Sequence, residues 1–229
     1  MKIAICTPIR RYDSVEEHKL TLQWAHGLEE KHQVRWDMDT TYGVDCGRSR
    51  LLNRAIKWAP DLVLMVDSDV VPKTPWRETL SIISQAWSRG FGLLVCPTIS
   101  VSGQILVWAP KHQTPYGKPT DIPIGSAFEI GWGALGFAAF KGDVLNKLKV
   151  LKSQTFVNGP PEPLYCIYTS GGSGEDHSLC DNFRDSTGLK VGADTRLLAD
   201  HFKLFGRPSW RGPNLMPQGF ETHVDPRPL

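Results

Sequence analysis

The chain has 229 residues, enough to bury a sizeable core in one domain, and its 26 basic and 24 acidic side chains leave a formal net charge of +2. Lys and Arg are spread along the chain with only weak clusters at Arg48 to Arg54 and in the C-terminal tail, which argues against nucleic-acid binding by bulk charge. Cys6, Cys46, Cys96, Cys166 and Cys180 are odd in number and lack CxxC spacing, so they read as reduced core residues; with no signal peptide and no bilayer-length apolar run, a soluble cytoplasmic protein without a transmembrane segment is expected.

In chain order, Lys2 to Thr7 is a short apolar run closed by Pro8 and predicts a buried strand. Ser14 and Glu17 form a capping box, and Leu20, Trp24 and Leu28 then recur at helical spacing up to about Lys31. Gln33 to Met38 returns as a strand. From Gly47, the residues Leu51, Leu52, Ala55, Ile56 and Ala59 define an amphipathic helix that Pro60 stops. Leu62 to Val66 is apolar without alternation, as in a strand buried on both faces. Trp76, Leu80, Ile83 and Trp87 share a helix face, Gly90 and Gly92 close it, and Leu93 to Thr98 is a further strand. This βαβαβαβ order predicts a doubly wound α/β sheet. Beyond Ser100 come a strand at Gln104 to Trp108, a loop from Pro110 to Gly125, strands at Ala127 to Trp132 and Gly136 to Phe140, and a short helix at Asp143 to Leu148. Gln154 to Gly174, with its glycines and prolines, predicts a mobile lid. A helix over about Glu175 to Asp185 ends at Gly188, Leu189 to Gly192 adds a strand, and the proline-rich tail from Arg207 reads as irregular.

Three places carry chemistry. The strand Leu62 to Val66 ends in Asp67-Ser68-Asp69, and two carboxylates at a strand's carboxyl end either cap a turn or call for a cation, for which oxygen ligands suit Mg²⁺ or Mn²⁺. Glu175-Asp176 opens a helix directly after a Gly-rich loop. The helix dipole stabilises acids there, and the same position suits a base for an acceptor hydroxyl. Asp194 to His201 follows a strand end, and His201 is an imidazole ligand candidate that Asp200 could orient. Of eight tryptophans, Trp24, Trp76 and Trp87 fall on core-facing helix positions, whereas Trp108, Trp132 and Trp210 are candidates to stack on a sugar or base.

Taken together, these residues resemble the GT-A class of nucleotide-sugar-dependent glycosyltransferases, family 2-like, over nearly the whole chain. The opening strand with Thr7-Pro8 looks like the nucleotide-binding start. Gly47-Arg48-Ser49-Arg50-Leu51-Leu52-Asn53-Arg54-Ala55 resembles the helix with an "ARN-A" signature, and Asp67-Ser68-Asp69 matches DxD. Gly131-Trp132-Gly133-Ala134-Leu135-Gly136-Phe137 looks like the Gly-rich acceptor-side segment, Glu175-Asp176 matches "ED", and His201 sits where the class often places a histidine on the metal. In the family the second strand closes in an acidic cluster. Here Trp36 to Thr41 stands in its place, so either Asp37 or Asp39 contacts the base. Arg10 and Arg11 follow Pro8 as phosphate contacts or as solvated side chains; Arg48 and Arg50 are offered to the diphosphate, while Arg50, Arg54 and Lys57 also form one exposed helix face by spacing.

The resemblance implies a GT-A, Rossmann-like three-layer sandwich with a mostly parallel central sheet. Residues 1–206 would form the catalytic domain, with a nucleotide-binding half at 1–100 and an acceptor-binding half at 101–206, and 207–229 a tail. It implies transfer of a sugar from a UDP- or GDP-linked donor to an acceptor hydroxyl. Asp69 and His201 would hold Mn²⁺ or Mg²⁺ with Asp67 nearby, and Thr7, Pro8, Asp37, Asp39, Arg48, Ser68, Trp132 and Gly133 would line the donor site. Asp176 would be the base if the anomeric centre inverts, and Asp176 and Glu175 would hold acceptor hydroxyls if it is retained. Gly133 and Gly136 would let the backbone approach the sugar. The alternatives are a nucleotidyltransferase, disfavoured because Thr7-Pro8-Ile9-Arg10-Arg11 has no glycine, and a non-catalytic carbohydrate- or nucleotide-binding module.

Overall fold

In the computed structural model, the residues described are 1–9, 15–40, 44–98, 106–110, 122–155, 160–167, 174–201 and 207–208. The strands are β1 (Lys2–Pro8), β2 (Gln33–Asp39), β3 (Leu62–Val66), β4 (Val70–Pro72), β5 (Phe91–Val95), β6 (Val107–Trp108) and β7 (Ala127–Glu129). They continue with β8 (Trp132–Gly133), β9 (Phe137–Lys141), β10 (Lys152–Thr155), β11 (Pro161–Leu164), β12 (Lys190–Asp194), β13 (Ala199–His201) and β14 (Arg207–Pro208). The helices are α1 (Val15–Ala25), α2 (Val44–Trp58), α3 (Trp76–Ser88) and α4 (Glu175–Thr187), with short 3₁₀ turns at His26–Leu28 and Gly142–Lys147. The predicted cap at Ser14, the pair Arg10 and Arg11, Trp210 and the tail beyond Pro208 lie outside the described residues. Arg207–Pro208, expected to be irregular, pairs with β13.

Seven strands form the central sheet in the order β2-β1-β3-β9-β5-β12-β7. β2, β1 and β3 are mutually parallel, β12 is parallel to β5, and β9 is antiparallel to both β3 and β5. β7 is antiparallel to β12, so five strands run one way and two run against them. The expected α/β sandwich with a mostly parallel sheet is thus the fold observed, and its mixed character comes from β9. Phe137 to Phe140 lies between β3 and β5. That segment is apolar on both faces, with Ala138 and Ala139 flanked by Phe137 and Phe140, so it tolerates a central position that a polar strand could not occupy.

Alternation along the strands divides the core into two layers. Ala4 and Cys6 of β1 pack with Leu51, Leu52 and Ala55 of α2 and Leu179, Cys180 and Phe183 of α4. Ile3 and Ile5 face the other way, toward Ala25 of α1 and Ile82, Ile83 and Ala86 of α3, with Trp24, Trp76 and Trp87 packed around them as expected. All five described cysteines are buried and unpaired, in line with the reduced-core reading. Every residue from Leu62 to Val66 is fully buried, worth roughly 1.5–3 kcal/mol for each large side chain, which pins the strand end that carries Asp67. Gly188 closes α4 in the left-handed region (φ 70°), its N–H donating to the Arg184 carbonyl.

Part of the predicted lid is packed structure. β10 and β11 form an antiparallel hairpin, and the segment after it is held down by buried contacts. The Ser49 hydroxyl of α2 accepts from the Tyr165 N–H at 3.0 Å, and Asn182 Nδ2 of α4 donates to the Tyr165 carbonyl at 2.8 Å. Tyr165 and Cys166 are buried. These bonds anchor residues 165–166 to α2 and α4, while residues 168–173 of the predicted lid lie outside the described part.

Candidate functional site

The carboxyl edge of β3 is built by a tight turn. The Asp67 N–H donates to the Gly136 carbonyl at 2.8 Å, the Val70 N–H donates to the Asp67 carbonyl at 2.9 Å, and the Ser68 hydroxyl donates to the Pro8 carbonyl at 3.2 Å. The ends of β1, β3 and β9 therefore meet at Asp67-Ser68-Asp69. The chain leaves the turn as β4, which pairs with β13 so that His201 stands opposite Val70, the residue after Asp69. The backbone of His201 is thereby brought to the carboxylate pair from 132 positions away in sequence. Asp200 is ion-paired with Lys73 at 2.8 Å.

Arg48 dominates the geometry. Its Nη2 donates to both oxygens of Asp67 at 3.0 Å, and its Nη1 donates to Glu175 Oε1 at 3.0 Å and to Asp176 Oδ1. The guanidinium is 2% exposed. The fork offered from the sequence to the diphosphate is here filled by three carboxylates from the two acidic motifs. The signal was present in the sequence: Arg48, Leu51, Leu52 and Ala55 follow helical spacing on one face, so the periodicity that buries the leucines buries Arg48 too. Burial works against the charged form of Arg48, yet Asp176, Asp67 and Glu175 outweigh it and hold the proton more firmly than usual.

Glu175 and Asp67 are buried, whereas the Asp176 side chain keeps 22% of its surface. Burial pushes the Asp176 carboxyl from its ordinary 3.8 up to about 6; Arg48 pulls it down, Glu175 and Asp67 push it up, and a backbone hydrogen bond from Leu135 pulls it down. The folded chain therefore retains this proton in a window, between about 4 and 6, where the unfolded chain has released it. Native protein binds more protons there, so this group's contribution to stability falls as pH rises through the window. If Asp176 is a base, the acid limb of kcat/KM should fall near pH 6 and should vanish in Asp176→Asn; a limb that survives in that variant would remove the base assignment.

The remaining predicted donor residues divide. Thr7 is buried at the end of β1, and its hydroxyl has no partner among the described residues, as a ligand contact would leave it. Asp37 is held by Arg35 at 2.8 Å, and Asp39 by Arg54 at 2.7 Å with Arg50 at 3.7 Å. Asp39 pairs in register with Pro8 at the sheet edge, whereas Asp37 lies two residues inside it. Arg50 also reaches Glu162 of β11 at 3.4 Å, so Arg50 and Arg54 tie α2 to its neighbours rather than line a solvated face. A Cβ on Gly133 would meet Val95 and Ile130 at 3.0 and 3.2 Å, and one on Gly136 would meet Val70 at 3.2 Å. Both glycines make room for neighbouring protein atoms. Trp132 stacks on Trp108 across β6 and β8 (centroids 3.4 Å, interplanar 10°), and its ring lies 5.3 Å from His177, the residue after Asp176.

Among the described residues no group of three or more His, Cys, Asp or Glu is arranged to hold a metal ion, and no helix is long and apolar enough to cross a membrane. Mg²⁺-type sites commonly use one or two carboxylates and complete their shell with water and substrate phosphates. A carboxylate at Asp69 beside the strand position of His201 fits that chemistry, while Asp67 is engaged by Arg48.

No protein-family model matches the chain, and no curated protein matches it. Among solved structures it is similar to A197 from STIV, with a TM-score of 0.57 and 16% identity over 89% of this chain and 86% of that one. At that identity the likeness shows the fold alone. Looser matches are a glycosyltransferase involved in the glycosylation of the major capsid of PBCV-1 (TM-score 0.36, 12% identity, 64% of this chain and 63% of that one) and CMP:2-keto-3-deoxy-manno-octonic acid synthetase complexed with CTP (TM-score 0.44, 12% identity, 84% and 89%). These two carry no argument.

Proposed function

We propose that the protein is a metal-dependent glycosyltransferase of the GT-A type, moving a sugar from a nucleoside-diphosphate donor to an acceptor hydroxyl. The observation that supports this reading best is the convergence of Asp67, Glu175 and Asp176 on Arg48 at the sheet's carboxyl edge, the place where open α/β sheets bind ligands. One cation against three carboxylates leaves a formal charge of −2, and Asp69 beside them adds to it, so the edge favours a further cation. Asp69 and His201 would hold Mn²⁺ or Mg²⁺. Bound there, the metal would neutralise the departing diphosphate as a Lewis acid. Thr7, Pro8 and Ser68 would line the donor's nucleotide, with Asp39 better placed than Asp37 for the base. Asp176, the most exposed of the three carboxylates, would take the acceptor proton with inversion, while Glu175 stays buried behind it.

Thermal stabilisation by a panel of nucleotide sugars and nucleoside triphosphates, each with and without Mn²⁺, tests the reading, since a ligand bound by the native state raises the apparent Tm. A metal-dependent shift with one nucleotide sugar, followed by release of its diphosphate, is the expected result. Stabilisation by a triphosphate alone would turn the reading to nucleotidyl transfer. Asp69→Asn should abolish the metal-dependent part of the shift; a variant that keeps it moves the metal elsewhere.

A further inference from the structure

Resting on that transferase reading, we propose that Arg48 is the positioning residue of the site: braced by Asp67 and Glu175, it fixes the carboxylate of Asp176 toward the acceptor, and it binds no donor phosphate. The two Nη nitrogens donate to Asp67, Glu175 and Asp176, and the side chain keeps only 2% of its surface. The remaining donor, Nε, is buried and has no partner among the described residues. A phosphate could reach the fork only by displacing one of the carboxylates. The planar fork also orients what it binds. Both oxygens of Asp67 meet one nitrogen, Nη2, at 3.0 Å, while the other, Nη1, donates to Glu175 and to Asp176, so the rigid guanidinium plane sets where each carboxylate is held.

The three carboxylates are not equivalent in this frame. Asp67 and Glu175 are buried, and only Asp176 keeps an appreciable exposed surface. The frame itself is held from outside the site. Arg48 lies on the buried face of α2, and Ser49 beside it bonds to the N–H of Tyr165, whose carbonyl is held by Asn182 of α4. Thus α2 and α4 are tied twice, once through Arg48 and once through residues 165–166, and Asp176 sits at the start of the helix so fixed. Glu175, taken from the sequence as a second catalytic carboxylate, acts here only through Arg48.

Donor hydrolysis tests this without knowledge of the acceptor: water attacks the anomeric carbon and gives its proton to Asp176, the bond to the diphosphate breaks, and nucleoside diphosphate and free sugar are released. Measured with Mn²⁺ and the donor found by thermal stabilisation, Arg48→Lys and Glu175→Gln should lower kcat about 10²-fold, the scale expected when a reacting group is displaced by an ångström, with donor Kd within about threefold of wild type. Should Arg48→Lys fail to fold, Glu175→Gln carries the test alone, because it preserves size and removes one bracing charge. A tenfold or larger loss of donor affinity with kcat retained would make Arg48 a donor ligand and overturn the proposal. Wild-type rates and affinity in both variants would overturn it equally. If wild-type protein binds and hydrolyses no nucleotide sugar, the transferase reading itself fails and this inference falls with it.

Discussion

Arg48→Met is expected to lower unfolding stability by about 3–5 kcal/mol, the range found when one partner of a buried ion pair is removed and the other is left charged. Here the penalty falls on three carboxylates, two of them buried, that lose their common cation. Methionine fills much of the same volume, so a cavity contributes little and the loss is chiefly electrostatic. The sign of its pH dependence follows. Without Arg48 the folded-state carboxylates take up protons more readily, so the deficit relative to wild type should shrink as pH falls from 7 toward 5. Urea unfolding of both proteins at the two pH values measures it. A deficit under about 1 kcal/mol, or one that does not change with pH, would mean that the guanidinium is not the charge partner the structure shows. Adding Asp67→Asn to Arg48→Met should recover part of the loss, which a double-mutant cycle would report as coupling.

Asp176→Asn is expected to separate binding from chemistry. The amide keeps the shape of the side chain while removing the most exposed charge of the cluster, so donor and metal affinity should persist and the Tm should hold or rise, since a functional carboxylate crowded by others is held at a cost in stability. Turnover should fall by roughly 10²–10⁴, the usual range for loss of a general base. Steady-state kinetics beside donor binding by calorimetry decide the matter. Near-wild-type turnover would show that Asp176 is no base and favour retention or a purely structural acid pair, whereas loss of metal binding would place Asp176 on the donor side.

Much of the architecture was legible in the sequence because it depends on local periodicity. The unbroken apolar run at Leu62 to Val66 could only be a central strand, and its end at Asp67 could only be a sheet edge. The helical spacing of Leu51, Leu52 and Ala55 buried α2 against that sheet. Cys6 and Cys96 were readable as core from their apolar neighbours alone. Other features were beyond local pattern. Nothing in the alternation of strands and helices shows that Phe137 to Phe140 inserts antiparallel between β3 and β5, since an apolar strand is equally apolar in either direction and at any central position. The boundary between residues 1–100 and 101–206 is likewise invisible in space, because β9, β12 and β7 from the second half complete the sheet begun by the first.

The sequence by itself determined which residues were available: two acidic motifs, a basic helix start and a late histidine, each readable because residue type and helical or strand spacing are local properties. Only the tertiary structure decided their partners. Asp67 and Asp176 are 109 positions apart, and no local rule states that α2 would place an arginine between them. Gly133 and Gly136 show the same division. Their lack of a side chain was plain, but which protein atoms would fill the space depended on where Val95, Ile130 and Val70 packed. The physical reason is one of range: propensity and periodicity act over a few residues, whereas the charge balance of a buried site is settled by contacts between elements far apart in the chain.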